Sequence, residues 1–505
     1  MPVWNFVRHS FYQDSVTLMR LTRELESLAG VRRAAVMMGT PQNRALLDGV
    51  GLLSDEGAAA GPADLVIAVV ADDDAAAEAA RTAAEAALTA ARADRARTAS
   101  KPRTLRTALA ALPDATLALV SVPGPYAGAE AARALAAGLH VMLFSDNVPV
   151  ETEVALKREA AARGLFLLGP DCGTAILHGV PLGFANAVPR GRVGLVASSG
   201  TGLQEVTCLL AAEGEGVSHA IGVGARDLSD DVGGAMTLPA LAALRDDPAT
   251  EVVVVIGKPP GPGVVARLVN TLETLGKPAV LAIMGVHGFP APRDVHVATT
   301  LEEAAVIAAA RAGRREPRDI QLPPADLDDV VTEQARGLAP GQRFVRGLFS
   351  GGTLAWEAAA LLSERLDDVA PGVSGEGKGH RVIDLGGDVF TVGRPHPMID
   401  GGVRREWIAR EAADPTTAVL LFDVVLGYGA HPDPAGELIP ALEAARRTTT
   451  GAGRGLAMIA SVVGTEGDPQ RRSTQVARLR GAGVAVMDSN AQAARLAALV
   501  AARQA

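Results

Sequence analysis

Two short segments of the chain combine serine, glycine and threonine where an apolar strand gives way to an amphipathic helix. They read VASSGTGLQEV from Val196 and LFSGGTLAWEA from Leu348. Glycine lets the backbone approach a ligand, and the free N–H groups and dipole of a helix start favour a negative group. One such turn is more often an ordinary N-capped helix. Two copies favour a phosphate or acyl-phosphate site formed by Ser199, Gly200, Thr201, Gly202, Ser350, Gly351, Gly352 and Thr353.

A lysine stands between the apolar strand VVVVIG and the loop PPGPG. An ammonium group at Lys258 would offset the charge of an anion bound near the helix starts, so we predict a catalytic role for it. A solvated loop lysine is the alternative, and the sequence leaves both open.

Polar residues in Gly-rich loops near the C-terminus supply candidates for the remaining chemistry. Asp388 follows IDLGG, His396 lies in GRPHPMID, and Tyr428 and His431 lie in GYGAHPDP. A histidine with a pKa near ~6.5 can lose a proton close to neutral pH, so His396 and His431 are predicted as bases, with Asp388 as a further catalytic residue and Tyr428 as a substrate contact. The alternative is that these Pro-flanked residues only fix turns, which is how we interpret Asp384.

The segment LGPDCGT, which follows a short strand, adds Asp171 and Cys172 as substrate-binding candidates. Cys172 and Cys208 are the only cysteines of the chain. Two cysteines are too few for a disulfide framework or a Cys-based zinc site, so no metal site is predicted.

The elements that position these residues are of the α/β class. Apolar residues make up 48% of the 505 residues and aromatic residues only 3%, a mixture typical of alternating parallel strands and helices. Ligands bind such sheets at the carboxyl ends of the strands, which is where the candidate residues stand.

The order of strand-like and helix-like segments predicts four structural units and a linker. The last two units have the same alternation of strand-like and helix-like segments and look like the same fold used twice. The predicted boundaries are an N-terminal βα domain at 1–100, a second αβ domain at 101–189, two further domains at 190–312 and 343–505, and a charged, Pro-containing linker at 313–342.

Charge and hydropathy exclude several functional classes. The net charge of −9, with both signs interspersed, argues against a nucleic-acid partner. The apolar runs are far shorter than the ~20 residues of a membrane span. The N-terminal segment MPVWNFVRHSFYQDS lacks the apolar core of a signal peptide, so we expect a cytoplasmic protein.

Several segments resemble succinyl-CoA synthetase. GPDCGTAILHGVPLGFANAVPRGRVGLVASSGTGLQEV resembles the α subunit, and residues 348–500 look like the C-terminal ligase domain of the β subunit. With the N-terminal segment, IGKPPGPG, RPHPMID and LGYGAHPDP, nearly the whole chain resembles the FdrA family. The resemblance implies a partial Rossmann-like CoA-binding-type domain at 101–189 and flavodoxin-like ligase domains at 190–312 and 343–505.

The chain departs from the synthetase in parts that matter for activity. The synthetase carries phosphate on a histidine of a Met-Gly-His-Ala-Gly loop, and here the corresponding stretch, AIMGVHGFPAPRDVHVATT, has no such motif. His287 and His296 lie nearby in a different context. Lys258 stands where the synthetase has a glutamate that steadies the phosphohistidine. Neither an ATP-grasp region nor the CoA-gripping glycine loop is recognisable, so CoA stays open as a ligand.

The resemblance, with these parts removed, implies transfer of an acyl group between an acyl phosphate and an acceptor. We predict a subunit of an oxamate-type carbamoyltransferase of purine and ureide breakdown, with carbamoyl phosphate as a substrate and no certain cofactor. The expected partners are other subunits in an oligomeric assembly and a small-molecule substrate. The first alternative is an NDP-forming acyl-CoA synthetase with a separate ATP-grasp subunit, and the second is a non-catalytic acyl-CoA sensor.

Overall fold

The computed structural model describes residues 2–11, 13, 15–97, 102–285, 288–320, 327–370, 379–391 and 394–503. The chain divides into two compact units, Met1–Pro113 and Asp114–Ala505. None of the described helices is both long enough and apolar enough to cross a membrane.

The first unit has a three-stranded antiparallel sheet of order β1-β3-β2. Leu21 and Leu25 on one helix and Ala80 and Ala84 on another bury one face of the sheet. The elements are β1 (Val3–Arg8), α1 (Ser15–Glu26), β2 (Val31–Met38), α2 (Pro41–Gly49), α3 (Asp55–Ala58), β3 (Leu65–Ala71), α4 (Asp74–Arg97) and α5 (Leu105–Ala111).

The second unit begins with a small parallel sheet of order β4-β5-β6. Strands of only two to four residues alternate here with 13-residue helices. The elements are β4 (Leu117–Val120), α6 (Gly124–Ala136), β5 (His140–Leu143), α7 (Val150–Ala162) and β6 (Leu167–Leu168).

A seven-stranded sheet follows, of order β13-β12-β11-β9-β10-β7-β8. Its elements are β7 (Thr174–Leu177), β8 (Val180–Gly183), β9 (Arg190–Ala197), α8 (Gly200–Ala212), β10 (Val217–Gly222), α9 (Thr237–Asp246), β11 (Val252–Gly257), α10 (Pro262–Glu273), β12 (Ala279–Ile283), β13 (Val295–Val297) and α11 (Leu301–Ala312). The elements from β9 to α11 are called the first lobe.

Helix α12 (Leu327–Ala335) precedes a five-stranded parallel sheet of order β15-β14-β16-β17-β18. The elements from β14 to α18 are called the second lobe. They are β14 (Phe344–Phe349), α13 (Gly352–Ser363), β15 (Arg381–Asp384), α14 (Asp388–Thr391), α15 (Gly402–Ala413), β16 (Thr417–Val425), α16 (Pro434–Gly451), β17 (Ala457–Val463), α17 (Arg472–Gly481), β18 (Ala485–Met487) and α18 (Asn490–Ala502).

The five parallel strands of the two lobes have the same order. Numbered from the first strand of each lobe, β9 to β13 and β14 to β18 both run 2-1-3-4-5 across the sheet. This is the flavodoxin-like order, whose ligands bind where the strand order reverses, at the carboxyl ends of the first and third strands. The mixed α/β class with flavodoxin-like lobes is therefore confirmed, and the reversal places the starts of α8 and α13 at the expected position.

The two lobes share one apolar core. Helices α8 and α11 of the first lobe contact α13 and α18 of the second. Leu203, Ala305, Leu354 and Leu496, one from each helix, are all completely buried. Each of these helices is apolar over most of its surface because it lies between a sheet and the opposite lobe. The packing holds α8 and α13 side by side.

Candidate functional site

The starts of α8 and α13 lie in direct contact. A Cβ atom at Gly351 would overlap the side chain of Thr201, so only glycine allows this approach. One residue further along α8, a Cβ atom at Gly202 would lie 3.0 Å from Cγ2 of Thr353. The two predicted anion-binding segments therefore form one site, at which two helix dipoles present their positive ends.

The start of α8 is capped by its own serine. Ser199 is the N-cap residue, and its Oγ accepts a hydrogen bond of 2.9 Å from the backbone N–H of Gly202. This arrangement satisfies one of the N–H groups that a helix start leaves free, as is usual for serine at this position.

The start of α13 has a different cap. Its N-cap residue is Gly351, and within the described residues no side chain caps this helix. Ser350 turns away instead: its N–H and its Oγ both donate to Asp423 Oδ1, at 3.0 and 2.9 Å. The buried Arg404 lies 3.3 Å from the same carboxylate. The first N–H groups of α13 are therefore available to a ligand.

Three buried hydroxyl groups surround the paired starts. The Oγ atoms of Thr174, Ser198 and Thr353 have no hydrogen-bond partner among the described residues, although each residue is only 2% exposed. Buried polar atoms are rarely left unpaired, and exceptions often mark a missing ligand or water. These three can donate hydrogen bonds to the oxygens of a bound anion.

Lys258 and Asp384 meet at the first residue of α13. The position that a Cβ of Gly352 would take lies 2.6 Å from Asp384 Oδ2 and 3.0 Å from Lys258 Nζ. Asp384 Oδ1 accepts a 3.0 Å hydrogen bond from the N–H of Gly386, which fits its interpretation as a turn-bracing residue, while Oδ2 faces the helix start. Burial raises the pKa of Asp384 to about 6, although the nearby Lys258 ammonium opposes the shift.

A small cleft opens beside the start of α8. Its lining consists of small residues together with one carboxyl group: Asp171, Cys172, Gly173, Thr174, Ala197, Ser199, Gly200, Gly222 and Gly224. Asp171 reaches solvent through the mouth of the cleft. The protein atoms around Asp171 and then the carboxylates of Asp388 and Asp146 raise its pKa to about 7, and Lys258 opposes the shift. The carboxyl group of Asp171 can therefore gain or lose a proton near neutral pH.

Cys172 lies beneath this cleft. Its Sγ is buried and donates to the carbonyl of Gly222 at 3.2 Å. Burial raises the pKa of the thiol to about 12, so Cys172 stays protonated and is a packing residue rather than a nucleophile.

The exposed Asp388 at the start of α14 adds negative charge near Asp171 and helps to raise its pKa. On the next turn, Thr391 Oγ1 donates to Asp146 Oδ2 at 3.0 Å. Several carboxylates therefore lie around Lys258. Among the described residues, Lys258 is the cation whose charge acts on both Asp171 and Asp384.

His396 packs against the ring of Phe184, with ring centroids 5.7 Å apart. Its Nδ1 accepts from the N–H of Met398 at 3.2 Å, and its Nε2 would lie 2.7 Å from a Cβ atom at Gly386. Burial lowers the pKa of His396 to about 4, so the ring is neutral at physiological pH. His396 lies close to the site but has little capacity to accept a further proton.

His431 and Tyr428 lie further from the helix starts. His431 Nδ1 accepts from the N–H of Asp433 at 3.0 Å, and its Nε2 lies 3.9 Å from Glu437 on α16, so the ring braces the start of that helix. Tyr428 is 54% exposed, and its N–H donates to the carbonyl of Ala185 at 3.1 Å. Neither residue is among those that line the cleft beside the start of α8.

The comparisons with known families match the two ends of the chain. The CoA-ligase family matches residues 348–500, and the family described as "AllF, heavy metal-associated domain" matches residues 1–104.

Among curated proteins, YahF of Escherichia coli K12 is 37% identical over 508 residues, which cover 98% of each chain. The α subunit of an ADP-forming succinate–CoA ligase from Methanothermobacter thermautotrophicus is 26% identical over 43% of this chain and 74% of its own. The corresponding subunit from Staphylococcus epidermidis RP62A is 31% identical over 36% of this chain and 60% of its own.

Two solved structures give low-scoring matches. A dinucleotide-forming acetyl-coenzyme A synthetase from Candidatus Korarchaeum cryptofilum matches with a TM-score of 0.30 and 16% identity over 77% of this chain and 82% of its own. An ATP citrate lyase from Methanothrix soehngenii matches with a TM-score of 0.33 and 19% identity over 42% and 37%.

The description of the N-terminal family names a heavy metal, and the residues of this chain do not fit one. Both cysteines, Cys172 and Cys208, lie outside residues 1–104. Soft metals are held mainly by thiolates and imidazoles. Within the described residues, moreover, no group of three or more His, Cys, Asp or Glu side chains is arranged to hold an ion.

Proposed function

Because this chain belongs to the YahF family and carries a CoA-ligase domain, we propose that it is an acid–thiol ligase-type enzyme that acts on an acyl phosphate at the paired starts of α8 and α13. The observation that carries the proposal is the contact between these two starts. A dianion placed between them would receive N–H donors and dipole stabilisation from both lobes.

The charge of the site supports an acyl phosphate rather than a phosphohistidine. Lys258 lies beside Gly352, where it would pair with phosphate oxygens. The unpartnered hydroxyls of Thr174, Ser198 and Thr353 add further donors. His296, one of the two nearby histidines, is bonded to Glu303 at 3.0 Å, and His287 lies outside the described residues.

Asp171 and Asp384 are our candidates for proton transfer. In the proposed step a thiol attacks the acyl carbon, so that the S–C bond forms and the bond from that carbon to the phosphate oxygen breaks. The thiol proton passes to an aspartate carboxylate, and the phosphate leaves with the bonding electron pair. A pKa of about 7 for Asp171 and about 6 for Asp384 matches this task near neutral pH.

The lining of the cleft favours a small acyl group. Apart from Asp171, it consists of glycine, alanine, cysteine, serine and threonine residues. No large apolar side chain takes part, whereas a site for a long acyl chain is lined mainly by such side chains. We therefore propose a compact, polar acyl group.

The same cleft favours one second candidate, transfer of a carbamoyl group from carbamoyl phosphate to an amine or amide, because a carbamoyl group is also compact and polar. The similarity to succinate–CoA ligase α subunits and the CoA-ligase match support the thiol reaction better than this carbamoyltransferase reaction. CoA as the thiol, partner subunits and oligomeric assembly are further parts of the proposal.

The test measures phosphate release from acetyl phosphate and carbamoyl phosphate by the full-length chain, each with CoA, with a panel of amines and amides, or with no acceptor. CoA-dependent phosphate release with thioester formation would support the ligase-type reaction. Release that depends only on an amine or amide would support the carbamoyl reaction instead. The matched variant Lys258→Met removes the charge and keeps a similar length, and it should abolish release.

A result against both reactions is also defined. If neither acyl phosphate is consumed and inorganic phosphate does not bind in calorimetry, the anion site at the helix starts is refuted. Tight CoA binding without turnover of either compound would favour a non-catalytic sensor.

A further inference from the structure

Two buried glutamates link each lobe to the other. Glu205 on α8 accepts a 2.9 Å hydrogen bond at Oε1 from the backbone N–H of Asn490, the first residue of α18. Glu357 on α13 accepts a 2.6 Å hydrogen bond at Oε1 from the backbone N–H of Leu301, the first residue of α11. Each carboxyl group thus caps the last helix of the opposite lobe.

The two contacts are equivalent. Glu205 is the sixth residue of α8, which starts at Gly200, and Glu357 is the sixth residue of α13, which starts at Gly352. Their partners follow the N-cap residues Thr300 and Ser489. The duplicated lobes therefore exchange caps in a reciprocal way, and we call this pair of contacts the crossed caps.

The crossed caps are buried and joined by further polar contacts. Glu205 is 3% exposed, and Glu357 and Glu302 are 1% exposed. Asn490 Nδ2 donates to Glu357 Oε2 at 2.7 Å, and Ser489 Oγ donates to Glu302 Oε2 at 2.8 Å. A purely structural interface of this depth is usually apolar, because burial of a carboxyl group costs free energy.

The position of the crossed caps ties them to the anion site. Helices rise by ~1.5 Å per residue, so the Cα atom of each glutamate lies about 8 Å along the axis from the start of its own helix. A helix of two turns is stiff over that distance. The hydrogen bond between Glu205 and α18 therefore also sets the direction of the first N–H groups of α8. In the same way, the hydrogen bond between Glu357 and α11 sets the direction of the first N–H groups of α13.

We propose that Glu205 and Glu357 are positioning residues, which hold the two helix starts at the separation that a doubly charged oxyanion requires. This inference rests on the proposed function of the helix starts and adds the residues that set their geometry. The two glutamates touch no substrate and act through the helices that carry them.

The variants Glu205→Asp and Glu357→Asp shorten the side chain by one methylene and withdraw the acceptor from its N–H partner. Inorganic phosphate binding to the full-length chain, measured by calorimetry near pH 6, should weaken about fivefold in each, a coupling of ordinary size between distant sites. The variants Glu205→Gln and Glu357→Gln keep an acceptor oxygen at the same reach and should retain wild-type affinity at this pH.

A matched control separates positioning from stability. Glu411 is also buried, at the amino ends of β14 and β15, where it pairs with Arg346 at 3.0 Å and Arg381 at 2.7 Å. The variant Glu411→Gln should lower the melting temperature of the chain but leave the phosphate dissociation constant unchanged.

A pH series supplies a readout that a merely structural role would not move. Burial, with a smaller contribution from neighbouring carboxylates, raises the pKa of Glu205 to about 8 and that of Glu357 to about 7. The groups that face them are Glu302, Arg318, Arg472 and Arg495, while Asp171 and Asp384 face the anion itself.

Sulfate keeps the same charge over this pH range and serves as the probe. Ionisation of the glutamates would repel the bound dianion, so wild-type affinity for sulfate should fall as the pH rises from about 6 to 9. The double variant Glu205→Gln with Glu357→Gln should show only the smaller fall that Asp171 and Asp384 cause.

These measurements distinguish failure of the positioning role from failure of the proposed function. If the wild-type chain binds sulfate and the aspartate variants bind it equally well, or if the glutamine double variant keeps the full pH dependence, the positioning role is refuted. If the wild-type chain binds neither phosphate nor sulfate, the proposed function fails and this inference fails with it.

Discussion

The starts of α8 and α13 have closely similar sequences but satisfy their serine residues in opposite ways. In the first lobe, Ser199 caps its own helix through the N–H of Gly202. In the second lobe, Ser350 is bound to Asp423, and the N-cap position is held by Gly351. The first start has one N–H group satisfied by its own serine, whereas no described side chain caps the second start, which lies beside Lys258.

The difference follows from a shift of one residue. Counted from the first helical residues Gly200 and Gly352, the counterpart of Ser350 is Ser198, and the counterpart of Ser199 is Gly351. Ser198 Oγ is buried without a partner among the described residues, whereas Ser350 has Asp423. We infer that the second start keeps all of its first backbone N–H groups for a ligand, whereas in the first start Ser199 occupies the N–H of Gly202.

The largest effect is expected from breaking the support of the second start. Asp423→Asn removes the carboxylate that holds Ser350 and leaves the buried Arg404 without its ion-pair partner. Loss of one member of a buried pair should lower the free energy of unfolding by about 3–5 kcal/mol in urea titrations.

The control for Asp423→Asn is Glu443→Gln, an exposed position on α16, which should change the free energy of unfolding by less than ~0.5 kcal/mol. A cost of under ~1 kcal/mol for Asp423→Asn would mean that Ser350 does not depend on this carboxylate.

The next effect concerns the aspartates, one beside each start. The pKa of Asp384 is raised to about 6, so the folded protein keeps a proton that the unfolded chain releases near pH 4. This contribution to stability is complete below pH ~4 and is lost as the pH rises through ~6. Asp384→Asn should therefore remove a decline on the order of 2 kcal/mol over this interval, measured by urea unfolding at several pH values.

Asp171→Asn sharpens the same comparison. The pKa of Asp171 is raised to about 7, so its contribution to stability is lost over a wider interval, between pH ~4 and ~7. Asp171→Asn should therefore flatten the pH profile of stability up to pH ~7, and an unchanged profile would contradict the raised pKa.

A third effect compares the first residues of the two helices. Gly352→Ala places a methyl group against Asp384 Oδ2 and Lys258 Nζ, whereas the nearest atom to a methyl group at Gly200 is Thr174 Oγ1 at 3.7 Å. Gly352→Ala should therefore weaken phosphate binding about tenfold, or 1.4 kcal/mol, and Gly200→Ala should leave it nearly unchanged. Isothermal calorimetry measures both, and equal losses would refute the asymmetry.

The sequence predicted the fold class and the two similar helix starts because both depend on local patterns, while the binding of an anion there stays a prediction. The alternation of strands and helices, repeated in 190–312 and 343–505, corresponds to two sheets of the same order. The two Ser/Gly/Thr turns come directly after β9 and β14. The similarity of the two turns led to the expectation that they form one site, and their contact comes from the packing of α8 against α13.

The sequence could not predict contacts between distant segments. The partner of Ser350 lies 73 residues further along the chain, and nothing near Ser350 distinguishes it from an N-cap serine. The pKa of Asp171 near 7 depends on the surrounding protein atoms and on Asp388, Asp146 and Lys258, which come from three distant segments of the chain. The sequence did not single out Thr174 as a site residue, because a threonine in a short strand is common. Only its buried Oγ1, which has no hydrogen-bond partner among the described residues, identifies it as a candidate ligand contact.

The smallest effect is expected at the start of α8, which Ser199 caps. Ser199→Ala removes the cap of α8 and should lower the free energy of unfolding by ~1 kcal/mol, as cap deletions usually do. It should also free the N–H of Gly202 for a ligand, so that phosphate binding is retained. Ser199→Asp restores a cap but adds a negative charge at the site, so it should keep the stability and lose phosphate affinity. If Ser199→Asp binds phosphate as well as the wild type, the anion contacts only the start of α13.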